Sequence, residues 1–148
     1  MKKQDFTTTI VVNQTAKQVF NAIKNPQAWW SGEIEGSANK LNDEFTYRYK
    51  DFHLSKQKIV EMIPDQKVVW LVTESEINYA EDKREWTDTK ISFEIFEQDN
   101  KTQLRFTHLG LVPEVECFDS CSNSWSQLIQ QGLFNLITTG ESKKIFLG

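Results

Sequence analysis

The chain has 148 residues, of which 39% are hydrophobic and 26% are charged, and its net charge is −4 at pH 7. This length fits one domain, which buries about 68–70% of its unfolded surface and needs no metal or disulfide for stability. Because 21 acidic residues outnumber 17 basic ones and no segment concentrates positive charge, we expect no nucleic-acid partner.

The sequence shows no signal for export or membrane insertion. Asp5 and three threonines follow the basic start, where a signal peptide would have an apolar run, and no stretch approaches the roughly 18 apolar residues of a membrane span. Cys117 and Cys121 are predicted to be free buried thiols of a reducing compartment, so a cytoplasmic location is expected. Their Cys-x3-Cys spacing offers too few ligands for a metal. We predict no metal and no cofactor.

The chain begins with a strand that leads directly into a helix. Residues 6 to 12 alternate between apolar and polar side chains, which predicts a strand with one buried face. Thr15 and Gln18 then fit a capping box, and the apolar residues after them predict a short helix that ends at Asn25-Pro26. Of the adjacent Trp29 and Trp30, one is predicted to lie in the core and the other to line an opening or cover a core edge.

A series of strands and turns is predicted from residue 33 to residue 109. A short strand at 33 to 36 precedes a strand at 44 to 50, whose Phe45, Tyr47 and Tyr49 share one face. Strands at 53 to 63 and 68 to 73 are joined by a type I turn at 64 to 67.

The polar loop that follows, at residues 74 to 86, is interpreted either as a lid or as an inert surface loop. Alternation then predicts a hairpin of strands 89 to 96 and 102 to 109. One face of the first strand carries Ile91, Phe93 and Ile95, and one face of the second carries Leu104, Phe106 and His108.

The segment from Cys117 to Gly140 has the longest helical periodicity in the chain. At about 1.5 Å per residue it would reach roughly 34 Å, enough to cross a small sheet. Its polar face would carry Phe134, and Gly140 would end it in a left-handed conformation. The predicted apolar face comprises Phe118, Cys121, Ser122, Trp125, Leu128, Ile129, Gly132, Leu133 and Leu136.

Gly132 lies in the middle of that apolar face, where a glycine costs about 1 kcal/mol relative to alanine. Two interpretations compensate for this cost. A large sheet side chain packs against the bare backbone, or Gly132, Ser122 and Cys121 together leave open volume between helix and sheet.

The order of elements predicts an α+β fold. A curled antiparallel sheet of about six to seven strands would wrap around the long C-terminal helix, with one or two short helices after the first strand. Residues 1–148 would form a single domain, whose interior is either filled or open.

The pattern resembles the helix-grip, or START-like, superfamily (SRPBCC), which includes lipid-transfer domains, the birch-pollen allergen and polyketide cyclases. Within it the chain is most similar to domains homologous to the activator of the heat-shock-protein-90 ATPase. The matching residues run from Thr7 to Gly140. They include Val19-Phe20, Trp29-Trp30, Phe45 with Tyr47 and Tyr49, Val68-Val69-Trp70, Phe106-Thr107-His108, Gly110-Leu111, Trp125, Leu128-Ile129, Leu133, Leu136-Ile137 and Thr139-Gly140.

The resemblance implies a hydrophobic cavity between the sheet and the helix that takes lipids, hormones or aromatic polyketides. Chaperone activators of this kind carry a separate N-terminal domain, for which 148 residues leave no room. We therefore do not expect activation of a chaperone ATPase, although a chaperone partner is possible.

Three functions remain open from the sequence. The first is binding or carriage of a hydrophobic small molecule, and the second is a cyclase or aromatase reaction that uses His108 and a tyrosine as proton-transfer groups. The third is a protein-interaction module that docks near Phe134. Other polar groups assigned to the interior are His53 and Glu61, whereas Arg48 and Arg105 are expected to be solvated. The predicted ligand-binding wall is Trp30, Tyr47, Tyr49, Trp70, Phe93, Phe106, His108, Trp125, Ile129 and Gly132.

Overall fold

A computed structural model describes residues 5–30, 33–49, 53–77, 86–112 and 118–140. Its strands are β1 (Phe6–Val12), β2 (Glu33–Gly36), β3 (Glu44–Tyr49), β4 (His53–Ile63), β5 (Lys67–Ile77), β6 (Lys90–Gln98) and β7 (Lys101–Leu109). Helix α1 (Ala16–Ile23) and a 3-10 turn (Pro26–Ala28) follow β1. The C-terminal helix consists of α2 (Phe118–Gln127), a π-helical segment (Leu128–Leu133) and α3 (Phe134–Thr139).

The strands form one antiparallel sheet in the order β1-β7-β6-β5-β4-β3-β2. The sheet curls around the C-terminal helix, so the predicted α+β helix-grip architecture is confirmed. On β7 the fully buried side chains of Leu104, Phe106 and His108 face the concave side and alternate with side chains that are exposed or partly exposed. These side chains and the inward face of the C-terminal helix form the core.

The capping box predicted at Thr15 is present. The Thr15 hydroxyl accepts a hydrogen bond from the Gln18 backbone N–H (3.2 Å), and the Gln18 side-chain oxygen accepts one from the Thr15 backbone N–H (3.0 Å). Helix α1 ends at Ile23, before Pro26, because a proline disfavours helical backbone in the residue before it.

The prediction that Trp29 and Trp30 divide between core and opening is wrong, because both are fully buried. Their indole rings stack with centroids 6.0 Å apart and planes 8° apart. After the 3-10 turn the backbone at Trp29 is neither helical nor extended, with φ of −130° and ψ of −20°, so the alternation that separates neighbouring side chains does not apply. The Trp29 indole N–H donates to the backbone carbonyl of Ala22 at 3.1 Å.

The C-terminal helix is not regular, and this corrects the predicted apolar face. Leu128 and Gly132 are buried, and five further buried residues recur at every fourth position: Cys121, Trp125, Ile129, Leu133 and Ile137. In a regular α-helix each such step overshoots a turn by about 40°, so Ile137 would lie about 160° from Cys121. The π-helical segment, with its i→i+5 hydrogen bonds, absorbs this drift. Ile137 is therefore buried in place of Leu136, which is partly exposed, and Gly140 ends the helix with φ of 76°.

Strand β4 carries a bulge that changes which side chains face the interior. The pairing of β4 with β5 shifts register between Ile59 and Glu61, and a bulge reverses the faces beyond it. The prediction that Glu61 faces the interior is therefore wrong. The Glu61 and Lys67 side chains are 44% and 37% exposed, and Glu61 Oε2 lies 3.1 Å from Lys67 Nζ, a charge contact without hydrogen-bond geometry.

Two turns also differ from the sequence prediction. Strand β5 continues to Ile77, so part of the predicted loop at residues 74 to 86 is strand, and residues 78–85 lie outside the described residues. Asp65 has φ of 62°, in the left-handed region, which a type I turn does not use.

Candidate functional site

The tryptophans form one connected cluster inside the sheet. All five tryptophans of the sequence belong to it: Trp29, Trp30, Trp70, Trp86 and Trp125. Trp30 connects helix and sheet, because its ring stacks on Tyr47 of β3 at 4.0 Å and lies 5.2 Å from the ring of Trp125 on α2. We call these five residues the tryptophan cluster.

The structure brings most of the predicted wall residues together. Ring contacts connect the sheet and helix residues of the wall, namely Trp30, Tyr47, Trp70, Phe93, Phe106, His108 and Trp125. Ile129 and Gly132 are buried in the π-helical segment, whereas the side chains of Tyr49 and His53 lie outside the described residues. The binding role of the wall stays a prediction.

His108 is held by hydrogen bonds at both ring nitrogens. The Trp125 indole N–H lies 3.1 Å from Nδ1, so Nδ1 accepts and the neutral ring carries its proton on Nε2. Nε2 then donates to the Thr89 hydroxyl at 2.8 Å, and that hydroxyl donates to the carbonyl of Trp86 at 2.5 Å. This network joins α2 to β7 and to the residues that precede β6. Since the Nδ1 lone pair is occupied, His108 has a structural role here.

A row of buried polar side chains crosses β4 and β5, and the sequence reasoning missed it. Ser55 and Gln57 are fully buried and Ser75 is 8% exposed. Ser55 pairs with Ser75 on one side and with Tyr47 on the other, so these side chains share the concave face. Every second residue of a strand lies on the same face. The count back from Ile59 that assigned His53 to the interior therefore also assigns Ser55 and Gln57 to it. We call Ser55, Gln57 and Ser75 the polar row.

Two groups at the polar row lack hydrogen-bond partners among the described residues. The Gln57 amide nitrogen donates to the Ser55 hydroxyl at 2.6 Å, which leaves the Gln57 carbonyl oxygen buried without a partner. The Trp70 indole N–H is likewise buried without a partner. Both side chains face the interior. Gln57 pairs with the buried Val72, and Trp70 pairs with the buried Ile59, which is two residues after Gln57 on β4 and therefore on the same face. Such groups cost about 1–3 kcal/mol each when nothing satisfies them.

The interior changes character from one end of the sheet to the other. Away from the polar row, α1 packs against β6, β7 and α3, and the buried side chains there are aliphatic or aromatic, as at Val19, Ile95 and Leu104. Near the polar row, α2 reaches β7 through the Trp125 ring, whose centroid is 4.6 Å from that of Phe106. Among the described residues no lysine, arginine, aspartate or glutamate is buried.

Cys121 is buried on α2 beside this region and takes part in a disulfide bond. The prediction of a free thiol at this position is therefore wrong, and the expected reducing compartment loses its support from the cysteines. Cys117 lies outside the described residues. In the described part of the chain, no three His, Cys, Asp or Glu side chains converge as metal ligands. No helix there combines the length and apolar character needed to cross a bilayer.

A separate depression of about 550 Å³ opens on the surface beyond the end of α1. Its lining is mainly polar, and none of its lining residues belongs to the predicted wall. Its lining residues are Asn21, Lys24, Asn25, Gln27, Gly36, Ser37, Ala38 and Asn39.

The fold and the interior define a helix-grip protein, in which a curled antiparallel sheet holds a C-terminal helix against its concave face. The sequence profile of the family described as "activator of Hsp90 ATPase homolog 1-like protein" matches residues 13–137. The chain belongs to this family, and the resemblance seen in the sequence is confirmed. No curated protein matches the chain.

Solved structures share the fold at low sequence identity. The chain is similar to the Aha1 dimer from Colwellia psychrerythraea, with 21% identity and a TM-score of 0.73 over 93% of this chain and 98% of that one. Protein SSP2350 from Staphylococcus saprophyticus is 15% identical, with a TM-score of 0.70 over 97% and 98% of the two chains. CalU16 from Micromonospora echinospora is 11% identical, with a TM-score of 0.66 over 93% and 77%.

Proposed function

We propose that residues 1–148 act as one domain that binds a hydrophobic small molecule between α2 and the concave face, beside the polar row. The observation that carries this proposal is the way α2 meets the sheet. The indole ring of Trp125 connects α2 to β7 by packing on Phe106 and by its hydrogen bond to His108. The π-helical segment that follows packs against β1.

The chemistry of this end of the interior suits such a ligand. The tryptophan cluster and Tyr47 offer large apolar contact area, and aromatic walls with a few convergent polar groups are typical of small-molecule sites. The polar row supplies the polar groups. Membership of the family supports binding of a ligand or of a protein, and the helix-grip fold favours the first.

The alternative of a cyclase or aromatase receives less support. A general base needs a free lone pair within reach of its substrate, and the Nδ1 lone pair of His108 is occupied by Trp125. The interaction module would dock near Phe134, which is 37% exposed. A single exposed aromatic is common on protein surfaces, so this residue does not favour that function over ligand binding.

Fluorescence titration tests the proposal. Fatty acids, sterols and flavonoid-like aromatics are titrated against the wild-type chain, and the tryptophan emission is recorded. Since the tryptophan cluster lines the site, a bound ligand should change the emission and saturate. Silence across the whole panel would contradict the proposal and would favour the interaction module.

A further inference from the structure

We infer that the preferred ligand is an uncharged molecule whose hydroxyl group forms hydrogen bonds with the side chains of Gln57 and Trp70. This inference deepens the proposed function and rests on it. The Gln57 carbonyl oxygen is an acceptor without a donor, and the Trp70 N–H is a donor without an acceptor, among the described residues. A hydroxyl group can donate to the first and accept from the second, because it carries one proton and two lone pairs.

The orientation of the Gln57 amide follows from its neighbour. Its nitrogen lies 2.6 Å from the Ser55 hydroxyl oxygen and donates to it, which turns the carbonyl oxygen toward the interior. Both Gln57 and Trp70 have no measurable solvent exposure. Bulk water therefore does not reach these two groups, and each raises the free energy of the folded state unless a ligand group hydrogen-bonds to it.

The absence of buried charge argues against an anionic ligand. None of the buried side chains in the described ranges is a lysine or an arginine, and the Nδ1 of His108 accepts a hydrogen bond from the Trp125 indole N–H, as only the neutral ring can. A carboxylate beside the Gln57 carbonyl oxygen would meet an acceptor and would lose its hydration without a counter-charge. A fatty acid in its ionised form should therefore bind less well than a phenol or an alcohol of similar size.

Four probes with one ring system test this assignment: naphthalene, 2-naphthol, 2-methoxynaphthalene and 2-naphthoate. The hydroxyl of 2-naphthol can make both hydrogen bonds, the methoxy oxygen can only accept, and naphthalene makes neither. We expect 2-naphthol to bind roughly 5- to 30-fold more tightly than 2-methoxynaphthalene. We expect 2-naphthoate to bind most weakly.

The variant Gln57→Met removes the amide and keeps the length of the side chain. It should erase the preference for 2-naphthol over 2-methoxynaphthalene while it leaves the affinity for naphthalene within about threefold. Gln14→Met is the matched control, because Gln14 also has a buried carbonyl oxygen without a partner but lies beside α3, where its amide nitrogen is 3.5 Å from the carbonyl of Thr138. The control should keep the full preference. Denaturation curves of both variants confirm that they fold.

The outcomes separate the two proposals. A preference for 2-naphthol that disappears in Gln57→Met and persists in Gln14→Met supports the assignment. Equal affinities for 2-naphthol and 2-methoxynaphthalene, tightest binding of 2-naphthoate, or a preference that Gln57→Met retains would overturn the assignment, and hydrophobic binding itself would stand. If neither these probes nor the wider panel bind, the proposed function fails as well.

Discussion

The indole N–H of Trp125 donates to Nδ1 of His108 across 3.1 Å, and both residues are buried. This hydrogen bond joins the C-terminal helix to β7 and fixes the orientation of both rings. It also fixes the proton of His108 on Nε2, next to the Thr89 hydroxyl at 2.8 Å. The Trp125 ring also packs on Phe106 of β7, with centroids 4.6 Å apart, so this residue holds the helix against the sheet through both a ring contact and a hydrogen bond.

The first prediction concerns the packing of the C-terminal helix. Trp125→Ala should destabilise the domain by about 3–5 kcal/mol, because it deletes a large buried aromatic side chain. Phe134→Ala should cost less than about 1 kcal/mol, since Phe134 is 37% exposed. Chemical denaturation measures both. A larger cost for Phe134→Ala would mean that the orientation of the helix is wrong.

A second variant at the same position isolates the hydrogen bond. Trp125→Phe keeps an aromatic ring and removes the N–H that His108 accepts. It should cost about 1–3 kcal/mol, since a buried acceptor loses its donor, and should therefore fall below Trp125→Ala. A cost equal to that of Trp125→Ala would show that ring size alone determines the stability.

The tautomer of His108 is directly measurable. The hydrogen bonds place the proton on Nε2, with Nδ1 as acceptor. The ¹⁵N chemical shifts of the imidazole should therefore show a protonated Nε2 and an unprotonated Nδ1 in the folded chain near neutral pH. In Thr89→Val, which removes the hydroxyl that accepts from Nε2, the Nε2 signal should shift. A proton on Nδ1 in the wild type would contradict the network.

A pH-dependent contribution is expected from Asp43 in the turn before β3. The Ser37 hydroxyl donates to its carboxylate at 2.7 Å, and with the backbone N–H groups of Lys40 and Asn39 it lowers the pKa of Asp43 from its ordinary 3.8. A lowered folded-state pKa stabilises the fold above the ordinary pKa, and this stabilisation is lost as the pH falls through the folded value. Asp43→Asn should therefore be less stable than wild type at pH 6, and this difference should shrink as the pH falls below the ordinary pKa of 3.8 and through the lowered folded-state pKa. Denaturation at a series of pH values measures it, and a difference independent of pH would contradict it.

Gly132 tests whether the interior is open. It is buried in the π-helical segment, and Gly132→Leu would place a branched side chain between helix and sheet. If the volume is open, this variant should fold and lose ligand binding, whereas Gln131→Leu, which adds a leucine at the adjacent exposed position, should bind as wild type does. If the interior is packed, Gly132→Leu should instead destabilise the domain by about 1–3 kcal/mol, and wild type should bind no apolar ligand.

The order and type of the elements could be predicted because each depends on local pattern. The capping box at Thr15 and the alternation of Leu104, Phe106 and His108 determine local backbone and facing directions on their own. The bulge between Ile59 and Glu61 could not be predicted, because it is a property of the pairing of β4 with β5 and not of the alternation within β4. The π-helical segment could not be predicted either, because it depends on the packing of the whole helix on the sheet. It keeps Ile137 on the same buried face as Cys121, about four turns earlier.

The candidate site was predictable in its aromatic part. The alternation along a strand predicts which large aromatic side chains face the interior, and Trp70 and Phe93 are indeed buried. Gln57 was missed because glutamine at an inward position reads as polar and therefore as solvated. Gln57 lies opposite Phe45 on β3, and the Phe45 ring packs on Trp30 and Trp70, which come from distant parts of the chain, so its surroundings form only in the folded sheet.

The central claim, that a ligand binds inside the sheet beside Gln57 and Trp70, is tested most directly by NMR of the indole N–H groups. The five tryptophans give separate ¹H–¹⁵N signals, which variants at Trp70 and Trp125 assign. Titration with 2-naphthol should move the Trp70 signal most, because its N–H acquires an acceptor, and should move those of Trp30 and Trp125, whose rings lie near it. Shifts confined to backbone amides around the surface depression at Asn21 to Gln27, with all indole signals unchanged at saturation, would contradict the claim.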